Sequence, residues 1–483
     1  MSAVMQMPVG ATAENAADEL RMLFDRQAAR ALELRRSTAE ERKARIRKLL
    51  DLMEKHREDI IAAAAKDCGK PAPEVELTEI YPVVGEAREA LRHIDKWMKP
   101  RKVGTTLSTF GTKAQIRYEP RGVSLIISPW NYPVTLSFRP LVSAFAAGCP
   151  VILKPSEMTP TLSALMKRMI ESAYEPEDVA VVEGAADISQ RLLALPFDHI
   201  FFTGSPKIGR VVMAAAAKNL TSVTLELGGK SPVIVDRDAD LDKAARNLSW
   251  GKFTNCGQTC IAPDHIYVHE DIADALMDKM QQRIKQTFGQ DANTQLQSKD
   301  YARIVNHHHH GRVNALLKDA VDKGARIVTG GTSDASQNYL APTLITDVPK
   351  DSQIMEEEIF GPVLPIIRFR EIDTPIAEIN ARPKPLALYY FGRDKDRMEK
   401  VISSTSAGGT VVNHVVLHFL HPNLPFGGVN NSGLGNSHGK FGFEAFSHAR
   451  SVLIDKFSST HMLFPPYTAG VRRLIHAAIR WLT

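Results

Sequence analysis

The sequence predicts an α/β protein built on doubly wound parallel sheets, and three observations carry that expectation. Short Val- and Ile-rich runs bounded by Gly and Pro occupy residues 122–128, 149–153, 179–182 and 199–202, with helix-like stretches such as 162–174 between them. Apolar strands alternating with helices lie side by side and parallel, covered on both faces. A second series of this kind starts at Pro232-Val233-Ile234-Val235 and runs to about residue 420, with helices expected over 272–288 and 300–323. The third observation is length. A chain of 483 residues exceeds what one small core organises, so two or three domains are expected.

Taken in order, the first hundred residues read as helical. Ser37-Thr38-Ala39-Glu40-Glu41 offers a capping box, followed by an apolar stripe of Ile46, Leu49, Leu50, Met53, Ile60, Ile61 and Ala64. Two β-compatible stretches stand apart from both series, at 112–118 and 451–456. Gly229-Lys230-Ser231 reads as the hinge between the series, a place where ligand clefts form.

Composition narrows the function classes. Charged residues at 24% and apolar ones at 44% are ordinary for a globular chain, so disorder is not expected. A net charge of +5 is modest for this length, and nucleic-acid binding would need a clustered basic face, so none is expected. Four cysteines (68, 149, 256 and 260) make no disulfide framework and fit a reducing, cytoplasmic compartment. No run reaches 18 apolar residues, so stable membrane insertion is not expected. Residues 1–20 are Ala-rich with three acidic side chains and read as a mobile lead-in to a helix, not a signal peptide.

The chemistry is concentrated in two strings. Cys260 closes Asn255-Cys256-Gly257-Gln258-Thr259-Cys260, a polar, Gly-bearing loop in which a cysteine can be held as the attacking thiolate. Glu226 lies in Thr224-Leu225-Glu226-Leu227-Gly228-Gly229-Lys230, on a short strand running into Gly-Gly, where a carboxylate can be aimed and backbone can pass closely. The pair suggests a catalyst that forms a thioester and hydrolyses it with a general base. Cys256 competes with Cys260 but reads as a packed neighbour, and Cys68 and Cys149 as buried small residues. Phe202-Thr203-Gly204-Ser205-Pro206-Lys207-Ile208-Gly209 is a strand ending in a Gly turn that opens a helix, whose free N–H groups suit a pyrophosphate.

These strings, with Pro129-Trp130-Asn131-Tyr132-Pro133, Lys154-Pro155-Ser156-Glu157, Glu358-Ile359-Phe360-Gly361-Pro362 and Pro425-Phe426-Gly427-Gly428, resemble the aldehyde dehydrogenase superfamily in order and spacing over about residues 15 to 457. Within it, 257–264 and 441–448 resemble the class 3 branch, which includes fatty, aromatic and bacterial coniferyl aldehyde dehydrogenases. The resemblance implies a Rossmann-type, doubly wound NAD(P)-binding domain over 1–111 and 119–229 and an α/β catalytic domain over 230–420. It further implies a small β oligomerisation arm over 112–118 and 451–457 that completes a neighbouring subunit's sheet in a homodimer. Residues 458–483 are then a C-terminal extension.

By the same resemblance Cys260 is the nucleophile, and the Asn131 amide with the Cys260 N–H forms the oxyanion hole. Glu226 activates water against the thioester. Trp130, Lys154, Ser156, Glu157, Gly204, Ser205, Gly209, Glu358 and Phe360 bind the cofactor. Lys154 and Glu157 are placed at the adenosine ribose, where a carboxylate favours NAD, with NADP left open because class 3 relatives often accept both. Glu358 and Phe360 are placed at the nicotinamide ribose and ring. The implied reaction is NAD(P)-dependent oxidation of an aldehyde to a carboxylic acid. Coniferyl-type aromatic and medium- or long-chain aliphatic aldehydes both remain open as substrates. A CoA-acylating dehydrogenase need not retain Glu226, and a silent binding protein on this fold would be expected to lose Cys260, Glu226 or Asn131.

Three further features are weighed against blander readings. Four consecutive histidines, His307 to His310, point around a helix and do not converge, so a solvated surface is expected and no metal site. At the C-terminus, Val471, Leu474, Ile475, Ala478 and Leu482 share a helical face opposite Arg472, Arg473, His476 and Arg480. Docking near a substrate entrance is expected, with membrane-surface contact as the alternative. His265 and His414 depart from the class 3 pattern and are expected near the substrate channel.

Overall fold

The computed structural model describes residues 13–481. The lead-in expected over 1–12 and the apolar position Leu482 lie outside the described residues. Two parallel sheets organise the chain. The first has six strands in the order Gly433–Leu434, Ser222–Leu227, His199–Gly204, Ser124–Ile127, Val151–Lys154 and Val179–Val181. All pair in parallel except Gly433–Leu434, which returns antiparallel against Ser222–Leu227.

Burial explains the apolar runs. Ile126, Val151, Leu153 and Phe201 pack with the N-terminal helices and with Pro133–Ala147, while Leu125, Ile127, Ile152, Ile200 and Phe202 pack on the opposite face. Alternate residues thus serve opposite layers of core, and both faces of the sheet are covered. The capping box forms between Thr38 and Glu41 at the head of Ala39–Lys55, burying Ile46, Leu49 and Met53.

Residues 228–231 lead directly into the second sheet, ordered Arg326–Thr329, Thr343–Thr346, Val363–Phe369, His265–His269, Pro232–Val235, Ala387–Phe391 and Gly409–Val412. Only Arg326–Thr329, at one edge, runs antiparallel. A separate antiparallel sheet joins Arg101–Val103, Thr112–Pro120 and Ser447–Asp455, the last two paired over nine residues from Ser447↔Pro120 to Asp455↔Thr112. Ser447–Asp455 lies at its edge, with Leu453 60% exposed.

Two local expectations are corrected. The helix expected over 300–323 spans His307–Asp322, because Asn306 caps it through the His309 amide. Tyr301, Ala302, Ile304 and Val305 ahead of it form a buried loop, tied by the Val305 amide to Gln258. The histidine run is not uniformly solvated. His307 and His308 are exposed, but His310 is buried, bonded to Ser333 and to the Tyr339 carbonyl, and His309 packs 4.9 Å from the Trp130 ring. Four successive helical residues sweep roughly 300° around the axis, so one side of the run must face the core. Among the described residues no group of three His, Cys, Asp or Glu side chains is placed to hold a metal ion, and no helix is long and apolar enough to cross a membrane. The C-terminal helix Ala469–Trp481 leaves Leu474 exposed and Val471, Ile475 and Ala478 half-buried, so its apolar face is partly covered.

Candidate active site

The loop carrying Cys260 follows the helix Leu241–Phe253 through three residues in left-handed conformation: Asn255 (φ 52°), Cys256 (φ 53°) and Gly257 (φ 76°). Asn and Gly accept this region readily, whereas Cys256 is strained there and must be held by its surroundings. A Cβ on Gly257 would lie 2.3 Å from the Gly361 carbonyl oxygen, so the turn packs directly on the Phe360-Gly361-Pro362 backbone. The polar side chains of the loop are its scaffold. The Asn255 amide nitrogen donates to the Asn131 and Gln258 carbonyls (2.9 and 3.2 Å), and Gln258 Nε2 donates to the Asn255 and Arg303 carbonyls (3.0 and 3.1 Å).

The two cysteines of this loop separate clearly. Cys256 is fully buried, donates through Sγ to Tyr301 Oη at 3.4 Å, and has its thiol pushed up to about 12, chiefly by burial. Cys260 is half-buried and accessible. Its thiol is also pushed well above the ordinary value, first by burial and then by the carboxylates of Glu358 and Glu226. Burial and the two carboxylates favour the neutral thiol, in opposition to the loop polarity that favours the thiolate.

Glu226 is the second predicted catalytic residue. It sits on Ser222–Leu227, paired with Thr203 on one side and Gly433 on the other. Burial raises it to about 7, against a hydrogen bond from Ser437 Oγ (2.6 Å to Oε1) and the charge of Arg139. A carboxylate poised near neutrality can accept and release a proton at working pH. The glycine after it has a steric reason. A Cβ on Gly228 would fall 2.3 Å from a Glu358 carboxylate oxygen. Glu358 is itself raised to about 8 by burial, opposed by the Gly229 amide.

Asn131 is buried beside the Cys260 loop. Its Nδ2 donates to the Gln258 carbonyl at 3.0 Å, and the next residue bonds Thr259 through Tyr132 Oη at 2.6 Å. Pro133 then opens the helix Pro133–Ala147, in the position where its missing N–H does no harm. Trp130 stands edge-on to Phe360, ring centroids 5.3 Å apart.

The remaining predicted residues lie at or just beyond the ends of two strands of the first sheet, and among them Ser205 also lines the cavity between the sheets. Ser205 caps the helix Pro206–Ala217, accepting from the Ile208 amide, and the free N-terminal amides favour phosphate oxygens. Close packing explains the glycines. A Cβ on Gly209 would meet Leu227 at 2.7 Å, and one on Gly204 would meet the Phe202 ring at 2.5 Å. Thr203 Oγ1 is buried without a partner among the described residues. Lys154 ends its strand buried and donates to the exposed Glu157 at 2.8 Å, and Ser156 Oγ accepts from the Met158 amide. A cavity of about 810 Å³ lies between the two sheets, walled in part by Ser205, Gly229, Lys230, Glu358 and Asn431. Helix N-terminus, Cβ-free approaches and exposed carboxylate fit a nicotinamide dinucleotide.

Several residues that shape the site were missed in the sequence. Lys230 Nζ donates to Asp264 Oδ2 and to the Ile354 and Glu357 carbonyls (2.6, 2.7 and 2.8 Å), and the Ile359 amide donates to Asp264 Oδ1 (3.0 Å). This lashes the Glu358 segment to the inter-sheet link. Arg139, which counters Glu226, is paired with Glu86 at 3.1 Å and lies over the Phe419 ring. His265, expected near a substrate channel, instead lies in the wall of the inter-sheet cavity, bonded to Asp264 at 3.1 Å. His414 is half-buried near Trp250, ring centroids 6.2 Å apart.

Comparison with known proteins agrees with this fold. The model of the aldehyde dehydrogenase family matches residues 3–452. A Caulobacter vibrioides protein named for coniferyl aldehyde dehydrogenase activity is 39% identical over 488 residues, covering 99% of this chain and 100% of that protein. A dog protein named "aldehyde dehydrogenase, dimeric NADP-preferring" is 41% identical over 425 residues, 87% of this chain and 92% of its own length. The solved substrate-bound structure of Staphylococcus aureus AldH superposes with a TM-score of 0.90 at 40% identity, covering 95% of this chain and 99% of that one. This chain therefore belongs to the aldehyde dehydrogenase family and is an NAD(P)-dependent oxidoreductase.

Proposed function

We propose that the chain converts an aldehyde to a carboxylic acid through a thiohemiacetal and then a thioester on Cys260. The supporting observation is Glu226, buried, raised to about 7 and held by Ser437. Glu226 takes the Cys260 proton, and the sulfur adds to the carbonyl carbon. The oxyanion that develops is met by the Asn131 side-chain amide and the Cys260 N–H, donors fixed before reaction. The cofactor, when bound, supplies a hydride acceptor for the carbon on Cys260, leaving a thioester. Glu226 next releases the Cys260 proton to solvent, then draws a proton from water as that water attacks the thioester and returns it to the departing sulfur, so the acid leaves with the thiol restored. Trp130, Lys154, Ser156, Glu157, Gly204, Ser205, Gly209, Glu358 and Phe360 would hold the dinucleotide, with Glu358 and Phe360 at the nicotinamide end. Incubation with NAD and aldehyde, without coenzyme A, is expected to yield one free acid per NADH. NADH formation that depends on added coenzyme A would instead make the chain an acylating enzyme.

The substrate we assign is an aromatic, coniferyl-type aldehyde or a medium- to long-chain aliphatic one. The name of the Caulobacter relative supports the first. The loop beside the nucleophile supports apolar substrates generally. Tyr389 Oη donates to the Ile261 carbonyl (2.5 Å) and accepts from the Val416 amide (3.3 Å), bringing half-buried Val416 and Phe419 to the reacting region. A kcat/KM series across aliphatic and aromatic aldehydes is expected to rise with apolar area, by up to about 0.8 kcal/mol per buried methylene. A preference for short polar aldehydes contradicts it.

For the cofactor, the exposed carboxylate of Glu157 beside Lys154 supports NAD, since it repels a 2′-phosphate. Glu157→Gln is expected to raise NADP use relative to NAD, mainly through cofactor KM. An unchanged ratio would mean that other groups read the ribose. We assign a homodimer in which the 112–118 and 451–457 arm pairs with the second subunit. The open edge of Ser447–Asp455 and the name of the dog relative support this. Four free thiols support a cytoplasmic setting.

A further inference from the structure

A buried ion pair lies behind the Asn131 turn and has no part in the steps above. Lys70 follows the helix Arg57–Cys68, turned inward by Gly69 in left-handed conformation. Glu79 sits in the π-helical turn Glu76–Ile80, a local geometry often found at functional sites. Their side chains keep 1% and 0% of their surface accessible, and Lys70 Nζ lies 2.8 Å from Glu79 Oε1. A pair this deep is a weak source of stability, because desolvation offsets its attraction and apolar side chains could replace it at little cost.

What the pair touches gives it another use. Lys70 Nζ donates also to the Asn131 carbonyl at 3.0 Å and stands 4.4 Å from the centroid of the Tyr132 ring. The second oxygen of Glu79 accepts from the Val134 and Thr135 amides (3.1 and 3.0 Å), which are free donors in the first turn of the following helix. The Asn131 carbonyl and the turn that follows it are therefore held by one pair. On the far side, Asn131 Nδ2 spends one N–H on the Gln258 carbonyl, and Tyr132 bonds Thr259. Those partners are the two residues immediately before Cys260, so the second Asn131 N–H is registered against the nucleophile.

We propose that Lys70 and Glu79 are positioning residues that set the Asn131 amide relative to Cys260. The proposal rests on Asn131 being an oxyanion donor. Misplacing such a group by about 1 Å can cost on the order of 10²-fold in rate. The test is a mutant cycle. Lys70→Met combined with Glu79→Gln removes both charges together, leaves an acceptor for the Val134 and Thr135 amides, and strands no buried ion. In the otherwise native enzyme this double change is expected to lower kcat by about 10²-fold, with little change in KM for NAD. In an Asn131→Ala background the same change is expected to have almost no further effect, because the group it positions is gone.

An equal factor in both backgrounds would overturn the proposal, since it would show an effect independent of Asn131. Native kcat in the double variant would overturn it as well. Native kcat in Asn131→Ala alone would instead refute the oxyanion role, and the proposal with it. If the double variant does not fold, Lys70→Gln combined with Glu79→Gln, equally uncharged and with polar atoms kept on both sides, carries the cycle. Its loss in kcat is expected to vanish in the Asn131→Ala background, and persistence there would be equally fatal.

Discussion

Replacing Cys260 by alanine is expected to abolish aldehyde oxidation, lowering kcat by roughly 10⁴-fold or more while NAD binding stays nearly intact. The thiol is the nucleophile of the proposed reaction, and no side-chain hydrogen bond to its sulfur is seen among the described residues. Cys256 cannot substitute. Its sulfur is buried, bonded to Tyr301, and faces away from solvent-accessible space. Cys256→Ala should accordingly keep turnover, at some loss of stability from the cavity it leaves. Substantial turnover in Cys260→Ala together with loss in Cys256→Ala would reverse the assignment.

Replacing Glu226 by glutamine is expected to cut steady-state turnover by about 10²- to 10⁴-fold, the range for loss of a positioned base. The step affected matters more than the size. If Glu226 acts mainly on water, a burst of NADH near one per active subunit should appear and then stall. If it is indispensable for removing the Cys260 proton, the burst itself should slow. The high position of the Cys260 thiol makes some slowing of the burst expected as well. The pH dependence follows from the carboxylate. Burial raises it to about 7, and only the ionised form is a base, so deacylation should climb as pH rises through 7 and level off above it. One unit below, about a tenth of the molecules carry the base. Glu226→Gln should flatten that rise.

What was legible in the sequence was whatever chemistry lies contiguous in the chain. Cys260 with its glycine turn, Glu226 before Gly228, and the Thr203-Gly204-Ser205 cap are each short strings whose residue types state their use. Their partners were not legible, because folding supplies them from afar. Ser437, which orients Glu226, lies 211 positions away, and Asp264, which receives the Ile359 amide, lies 95 positions away. No local pattern marks such residues. The same limit explains the thiolate expectation for Cys260. Loop polarity is visible in sequence, whereas the burial and the two carboxylates that oppose ionisation are not. The late helix start at His307 has a more local cause. Residues 301–305, apolar apart from Arg303, continue a helical pattern that tertiary contacts override, and the helix begins only after the Asn306 cap. The third strand of the antiparallel sheet, Arg101–Val103, is short and exposed, with one apolar residue flanked by two charged ones, too little to form a recognisable strand pattern.

The central claim is that a thioester forms on Cys260 and that Glu226 hydrolyses it. Its most direct test is mass spectrometry of Glu226→Gln after brief incubation with NAD and aldehyde, followed by acid quench and proteolysis. The account predicts that the peptide bearing Cys260 gains the mass of the acyl group, with one acyl per NADH released. An unmodified Cys260 peptide in a variant that still releases a burst of NADH would contradict it.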